Sequence, residues 1–286
     1  MKKSIAFLAL LSVGLCSAAD VSALESWFKD GFESGDFSTE SSTGAGSLRW
    51  SPSNVSISSS FSHSGTYSAK FVFGPDANGE DSWRELGFRF DRAFSEIWVE
   101  YWILYPSNYN HRSQSSSSNN KFFQFNYNAA PKQMLTIESA VQGGGASLMR
   151  RYLSTTQNPD GSNNWPVSDS DTPNFIGSGS NFAIQLGQWT KVMIHYKSGS
   201  DGRSNDGLAE IWINDELFHS LEWPFWERDN GGSINGGYIL GWSNSGFSQA
   251  TDIYVDDFTV YTSQPSGGAA GTSARPKPPS NIKIDN

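Results

Sequence analysis

The sequence predicts an all-β chain folded as an antiparallel β-sandwich. Three observations predict it. First, short stretches alternate apolar and polar residues with a period of two. Between Leu186 and Asn214, Val192, Ile194 and Tyr196 alternate with Lys191, Met193, His195 and Lys197, and Ala209, Ile211 and Ile213 alternate with Glu210, Trp212 and Asn214. That period marks strands with one face on a core. Second, clusters of Gly, Ser, Asn and Asp, such as Ser198 to Gly207, punctuate these stretches and suit connections. Third, no stretch shows helical periodicity beyond a few turns, and no repeat recurs at a fixed spacing.

The chain opens with Met1-Lys2-Lys3, an apolar run from Ile5 to Leu15, and the small residues Cys16 to Ala19. A basic start, a short apolar stretch and a small-residue cleavage site make residues 1–19 a signal peptide. Leu15 before Cys16 argues against a lipoprotein. The expected location is secreted or periplasmic. The apolar run is too short to span a bilayer, and no other is longer, so no membrane contact is expected after cleavage. Cys16 is the single cysteine, so the mature chain has no disulfide and no thiol chemistry. Residues 20–262 are read as one domain and 263–286, rich in Ser, Gly, Ala, Pro and Lys, as a flexible tail. A net charge of -9 disfavours nucleic acid as a partner.

Within the domain, Asp81–Asp91 sets Leu86, Phe88 and Phe90 against Glu85, Gly87 and Arg89, with Arg84 on the core side. Ser95–Pro106 sets Ile97, Val99, Tyr101 and Ile103 against Trp98, Glu100 and Trp102. Lys121–Asn128 sets Phe123, Phe125 and Tyr127 against Gln124 and Asn126. Gln133–Ser139 and Ser147–Ser154 read as a hairpin carrying Arg150 and Tyr152. Asn158–Asn181 is a long polar loop with Trp165, and Leu217–Gly236 reads as a connection holding Trp223 and Trp226. Exposed indoles in polar loops suggest ligand stacking. Asp252–Tyr261 is the last strand.

Gly187-Gln188-Trp189 followed by Gly207 through Trp212 to Asn214 resembles the recurring hairpin of the concanavalin-A-like jelly rolls. Phe32–Phe37 (FESGDF) and Ser64–Phe71 (SGTYSAKF) resemble the opening strands of secreted sugar-binding and sugar-cleaving members. The resemblance implies that the last strand pairs with the first. It also implies a structural calcium ion held by Glu33, Asp36, the Ser64/Gly65 turn, Asp256 and Asp257. The other reading of these acids is as ordinary turn and edge carboxylates.

There is no phosphate loop, nucleophile elbow or His-Glu-x-x-His, and no organic cofactor is expected. The Glu-x-Asp-x-x-Glu strand of laminarinase-type glycosidases has no match, since Glu96 to Glu100 lacks the central Asp. The sequence is closest in pattern to jelly-roll polysaccharide lyases of the alginate and heparin lyase kind. Trp83–Arg89, Phe123–Asn126 and Tyr238–Trp242 follow the order of their three signature strands. Asn126 stands where the family has His, and the third strand lacks its Lys.

The resemblance implies β-elimination of an acidic, uronate-containing polysaccharide in a concave groove. Arg89, Gln124, Asn126, His195, Lys197 and Tyr238 would form the catalytic set, with Glu85, Arg150, Tyr152, Trp165, Trp223 and Trp226 on the substrate. His195 is either the base or a solvated sheet-face histidine, and Gln124 with Asn126 is either a carboxylate neutraliser or a cross-strand polar pair. Two other readings stand beside the lyase: a non-catalytic carbohydrate-binding protein using the same groove, and a structural surface protein. A polysaccharide partner and a monomer are expected. Gln124 and His195 must share one groove for the lyase reading to hold; on different sheets they favour binding.

Overall fold

The structure, a computed structural model, describes residues 26–77, 79–112, 119–128, 132–141, 147–153, 182–183 and 185–265. Among the described residues there are fifteen strands and no helix. In chain order they are β1 (Phe28–Asp30), β2 (Leu48–Ser53), β3 (Val55–Ser58), β4 (Ser68–Phe73), β5 (Ser82–Phe94), β6 (Glu96–Leu104), β7 (Asn119–Tyr127) and β8 (Lys132–Val141). There follow β9 (Ser147–Leu153), β10 (Phe182–Ala183), β11 (Trp189–Lys197), β12 (Gly207–Ile213), β13 (Glu216–Trp223), β14 (Ile234–Ser243) and β15 (Thr251–Tyr261).

They form two antiparallel sheets. The first runs β13-β12-β11-β6-β15-β4-β3, with β1 also paired to β15; the second runs β10-β9-β8-β7-β14-β5-β2. The architecture is the sandwich that the alternation predicts. The two inner faces carry the predicted apolar sets: Leu86, Phe88 and Phe90 of β5, Phe123 and Phe125 of β7, Ile97 to Ile103 of β6, and Val192, Ile194 and Tyr196 of β11 are buried. Aromatic rings fill the space between the sheets. Trp50 meets Phe258 edge-on at 5.0 Å, and Tyr101 lies parallel to Phe123 at 6.0 Å. Such offset and edge contacts add to the apolar burial.

The first and last strands do meet, with Phe28 opposite Val260 and Lys29 opposite Thr259. Buried Asp30 accepts the Trp50 indole N–H at 2.9 Å and the Phe32 amide at 2.8 Å, which fastens β1 to the core. One element differs from the sequence reading. Leu217–Trp223 is not a connection: it belongs to β13, hydrogen-bonded to β12 at the sheet edge. Its side chains are half-buried or exposed, so it lacks the apolar alternation that reveals an inner strand.

Candidate functional site

The outer face of the second sheet holds an open cleft. Period-two geometry turns Glu85, Gly87 and Arg89 of β5 outward while their neighbours fill the core. Pairing then sets rows across the sheet. One row is Ser51, Gly87, Tyr238, Gln124 and Thr136, and the next is Arg49, Arg89, Gly236 and Asn126. The cleft has a volume of about 470 Å³; Arg49, Glu85, Arg89, Asn126, Asn128 and Tyr238 are among the residues that line it.

Of the sequence-predicted residues, Arg89, Asn126, Tyr238 and Glu85 converge here. Gln124 is beside them but buried, and its amide oxygen accepts the Tyr238 hydroxyl at 2.7 Å and the Thr136 hydroxyl at 2.9 Å. It therefore positions the Tyr238 phenol instead of lining the cleft. The Arg89 guanidinium donates to Asn128 at 3.0 Å, and Asn128 is itself tied to Asn235. Glu85 accepts the Trp83 indole N–H at 3.2 Å, and burial pushes its carboxyl above the usual glutamate value.

His195 and Lys197 are corrections. Both lie on β11 in the first sheet, on the opposite side of the sandwich from the cleft. Buried His195 stacks on Trp98 at 4.1 Å and 6°. Its Nδ1 faces Glu210 at 2.9 Å and its Nε2 faces Glu96 at 3.1 Å. Alternation placed both residues correctly on the polar side of their strand, but a period of two tells in from out and not one sheet from the other.

Trp223 is also corrected, since it ends β13 of the first sheet and packs against the core. Trp226 is half-buried and does not line the cleft. Arg150 and Tyr152 belong to β9, two strands from β7; their side chains, and Trp165, lie outside the described residues. Arg84 turns to the core side as expected, donating to the carbonyls of Val72 and Trp83.

The sequence reading missed three residues. Arg49 lines the cleft; its signal was that Trp50 next to it is a core residue, which sends Arg49 outward. Trp83 and Trp242 are exposed on the cleft face, and Trp83 has the parity of Glu85 and Arg89.

The carboxylates expected to hold calcium meet beside the middle of β15, where its register with β6 shifts. Asp256 accepts the amides of His63 at 2.7 Å, Ser64 at 3.2 Å and Asp257 at 2.7 Å. Asp257 faces His63 Nδ1 at 2.7 Å and accepts the Ser64 hydroxyl at 2.8 Å. Glu33 accepts the amides of Thr66 and Tyr67 at 3.0 Å. A methyl group built on Gly31 would meet Asp257, Glu33 and Asp256 at 3.6 to 3.9 Å, so the three acids cradle that glycine. Burial pushes the Asp256 carboxyl up to about 6.

The donor chemistry of these three suits calcium, because a carboxylate oxygen that accepts one N–H keeps a lone pair. As they stand, no three His, Cys, Asp or Glu side chains among the described residues are disposed around a common metal position. Asp36 does not join them: its carboxylate caps the Ser38 amide at 2.8 Å at the surface.

The chain matches no protein-family model and no curated protein. It does match solved structures. "Cellulose induced protein, Cip1" is 17% identical, with 82% of this chain and 97% of that one covered and a TM-score of 0.48. Alginate lyase vAL-1 from Chlorella virus is 14% identical, with 74% and 92% covered and a TM-score of 0.47. The carbohydrate recognition domain of Emp47p is 12% identical, with 85% and 98% covered and a TM-score of 0.42.

Proposed function

We propose that the chain is a carbohydrate-binding protein whose cleft on the second sheet takes an acidic polysaccharide. One observation carries this reading. Arg49 and Arg89 stand directly opposite each other on β2 and β5, both in the cleft, and among the described residues neither has a carboxylate within ion-pair distance. Like charges directly opposite destabilise a sheet. Two guanidinium forks facing one opening gain from an anion between them, and the planar fork matches a carboxylate. Ser51, Asn126, Asn128, Asn235 and Tyr238 also line it and suit sugar hydroxyls. The local field at contact outweighs the net charge of -9.

The lyase reading is weaker. It needs a base beside the bound uronate, and His195 is on the other sheet with a carboxylate at each ring nitrogen. Among the described residues no histidine lines this cleft, which leaves Tyr238 and Glu85 as its proton-transfer candidates. Export, expected from residues 1–19, and a structural calcium ion held by Glu33, Asp256 and Asp257 belong to the same proposal.

The test is a panel of polyuronates. Wild-type protein is expected to be retarded in polyuronate affinity gels and to generate no absorbance from unsaturated uronate ends. Arg49→Ala and Arg89→Ala are each expected to weaken binding by about tenfold or more, the scale of a lost charge-assisted hydrogen bond. Growth of that absorbance on any substrate would replace the binding reading with the lyase.

A further inference from the structure

Trp83 and Trp242 are 45% and 47% exposed; among the described aromatic residues only Phe61 is exposed as well. They stand directly opposite each other on β5 and β14. Both point to the side of the sheet that carries the cleft, and Glu85 joins the two regions: it lines the cleft and accepts the Trp83 indole N–H.

The backbone of β14 is bent to achieve this. Tyr238 faces out, so strict alternation would turn Leu240 outward as well. Instead Leu240 adopts a φ of 56° and Gly241 a φ of 132°, the register with β7 shifts, and Leu240 is 3% exposed in the core. A leucine in the left-handed region is strained, and strain of this kind persists where the surroundings impose it. Its effect is to bury the leucine and still present the tryptophan two residues on. Gly241 also keeps the passage clear, because a methyl group there would meet the Tyr238 ring at 3.2 Å, Lys121 at 3.3 Å and Glu85 at 3.6 Å.

We propose that Trp83 and Trp242 form an aromatic subsite that takes the apolar face of a pyranose ring in the same polysaccharide whose carboxylates meet Arg49 and Arg89. This rests on the binding reading above and extends it. An exposed indole offers a large rigid face with little side-chain entropy to lose, which is what stacking on a sugar ring requires. The six steps from Trp83 to Arg89 along β5 span roughly 20 Å at strand rise. The ligand is therefore a chain of several sugars, anionic at one end of the site and stacked at the other. Glu85 lies between the two, and burial pushes its carboxyl above the usual glutamate value.

The experiment is calorimetric titration of the full-length protein with alginate and with polygalacturonate at two salt concentrations, with intrinsic fluorescence followed in parallel. The double variant Trp83→Ala/Trp242→Ala is expected to bind about tenfold more weakly. It should keep the wild-type salt dependence, which the arginines set, and lose the fluorescence change on binding. Trp83→Phe/Trp242→Phe is expected to recover most of the affinity, and an unchanged circular dichroism spectrum checks that each variant folds. If the wild type binds and the double alanine variant binds as tightly, the subsite is refuted and the arginine reading stands. If the wild type binds no polyuronate, both are refuted.

Discussion

Two buried or half-buried charges of opposite type show how position rules chemistry in this molecule. His111 has its Nε2 at 2.9 Å from the Ser243 hydroxyl, which donates in turn to Asn120. Burial pushes its imidazole down to about 4. A histidine held below its unfolded value of 6.5 favours the fold fully above pH 6.5. That contribution is lost as pH falls through about 4, and it amounts to at most about 3 kcal/mol. The expected outcome is a drop in melting temperature between pH 7 and pH 4 that is smaller in His111→Gln. Equal drops would show that the carboxylates alone cause acid unfolding. The cleft carboxyl Glu85 is shifted the other way, and ionises late as pH rises. Its charge then opposes an anionic ligand, so polyuronate affinity should be higher below that transition than above it.

At the scale of the strand, alternation made β5, β7, β11 and β12 legible, with the inward and outward sets assigned correctly. It made Glu85, Arg89 and Asn126 legible as outward residues of two strands. It did not join those strands to β14 or separate them from β11, because sheet membership is decided by pairing between distant segments. His195 and Lys197 were misplaced for that reason. β13 escaped notice because an edge strand that buries little need not alternate. The bend at Leu240 and Gly241 was hidden for the opposite reason: it breaks the period on which the reading depends.

β14 has no room for bulk at Gly237. A methyl group on Gly237 would lie 1.9 Å from the Gln124 carbonyl oxygen and 2.7 Å from the Phe88 ring. Gly237→Ala is expected to force β7 from β14 and to cost about 1–3 kcal/mol, as overpacking does. Chemical denaturation would measure it, and a variant as stable as wild type would mean that the pairing relaxes freely.

The two ends of the described chain are held together at the acidic cluster. Glu33 binds the turn at Thr66 and Tyr67, Asp256 binds the same turn at His63 and Ser64, and β1 pairs with β15. The cluster carries three acids against Lys29, 3.9 Å from Asp257, and His63. A divalent cation bound only by the folded state would raise the melting temperature by mass action. Calcium is expected to raise it and EDTA to lower it, and the Asp256→Asn/Asp257→Asn variant should respond to neither. A melting temperature indifferent to EDTA, with no metal co-purifying, would leave the hydrogen bonds as the sole fastening.

The last two strands are interior ones. β14 lies between β7 and β5 in the second sheet, and β15 lies between β6 and β4 in the first. A polypeptide is made from its amino end, so each sheet must wait, split into two unjoined pieces, until its keystone emerges. Until then four raw strand edges stand open to one another and to neighbouring chains. Pairing over such sequence separations is slow. The order of assembly therefore favours a chain that closes both layers late, when β14 and β15 arrive one after the other, each into its own sheet.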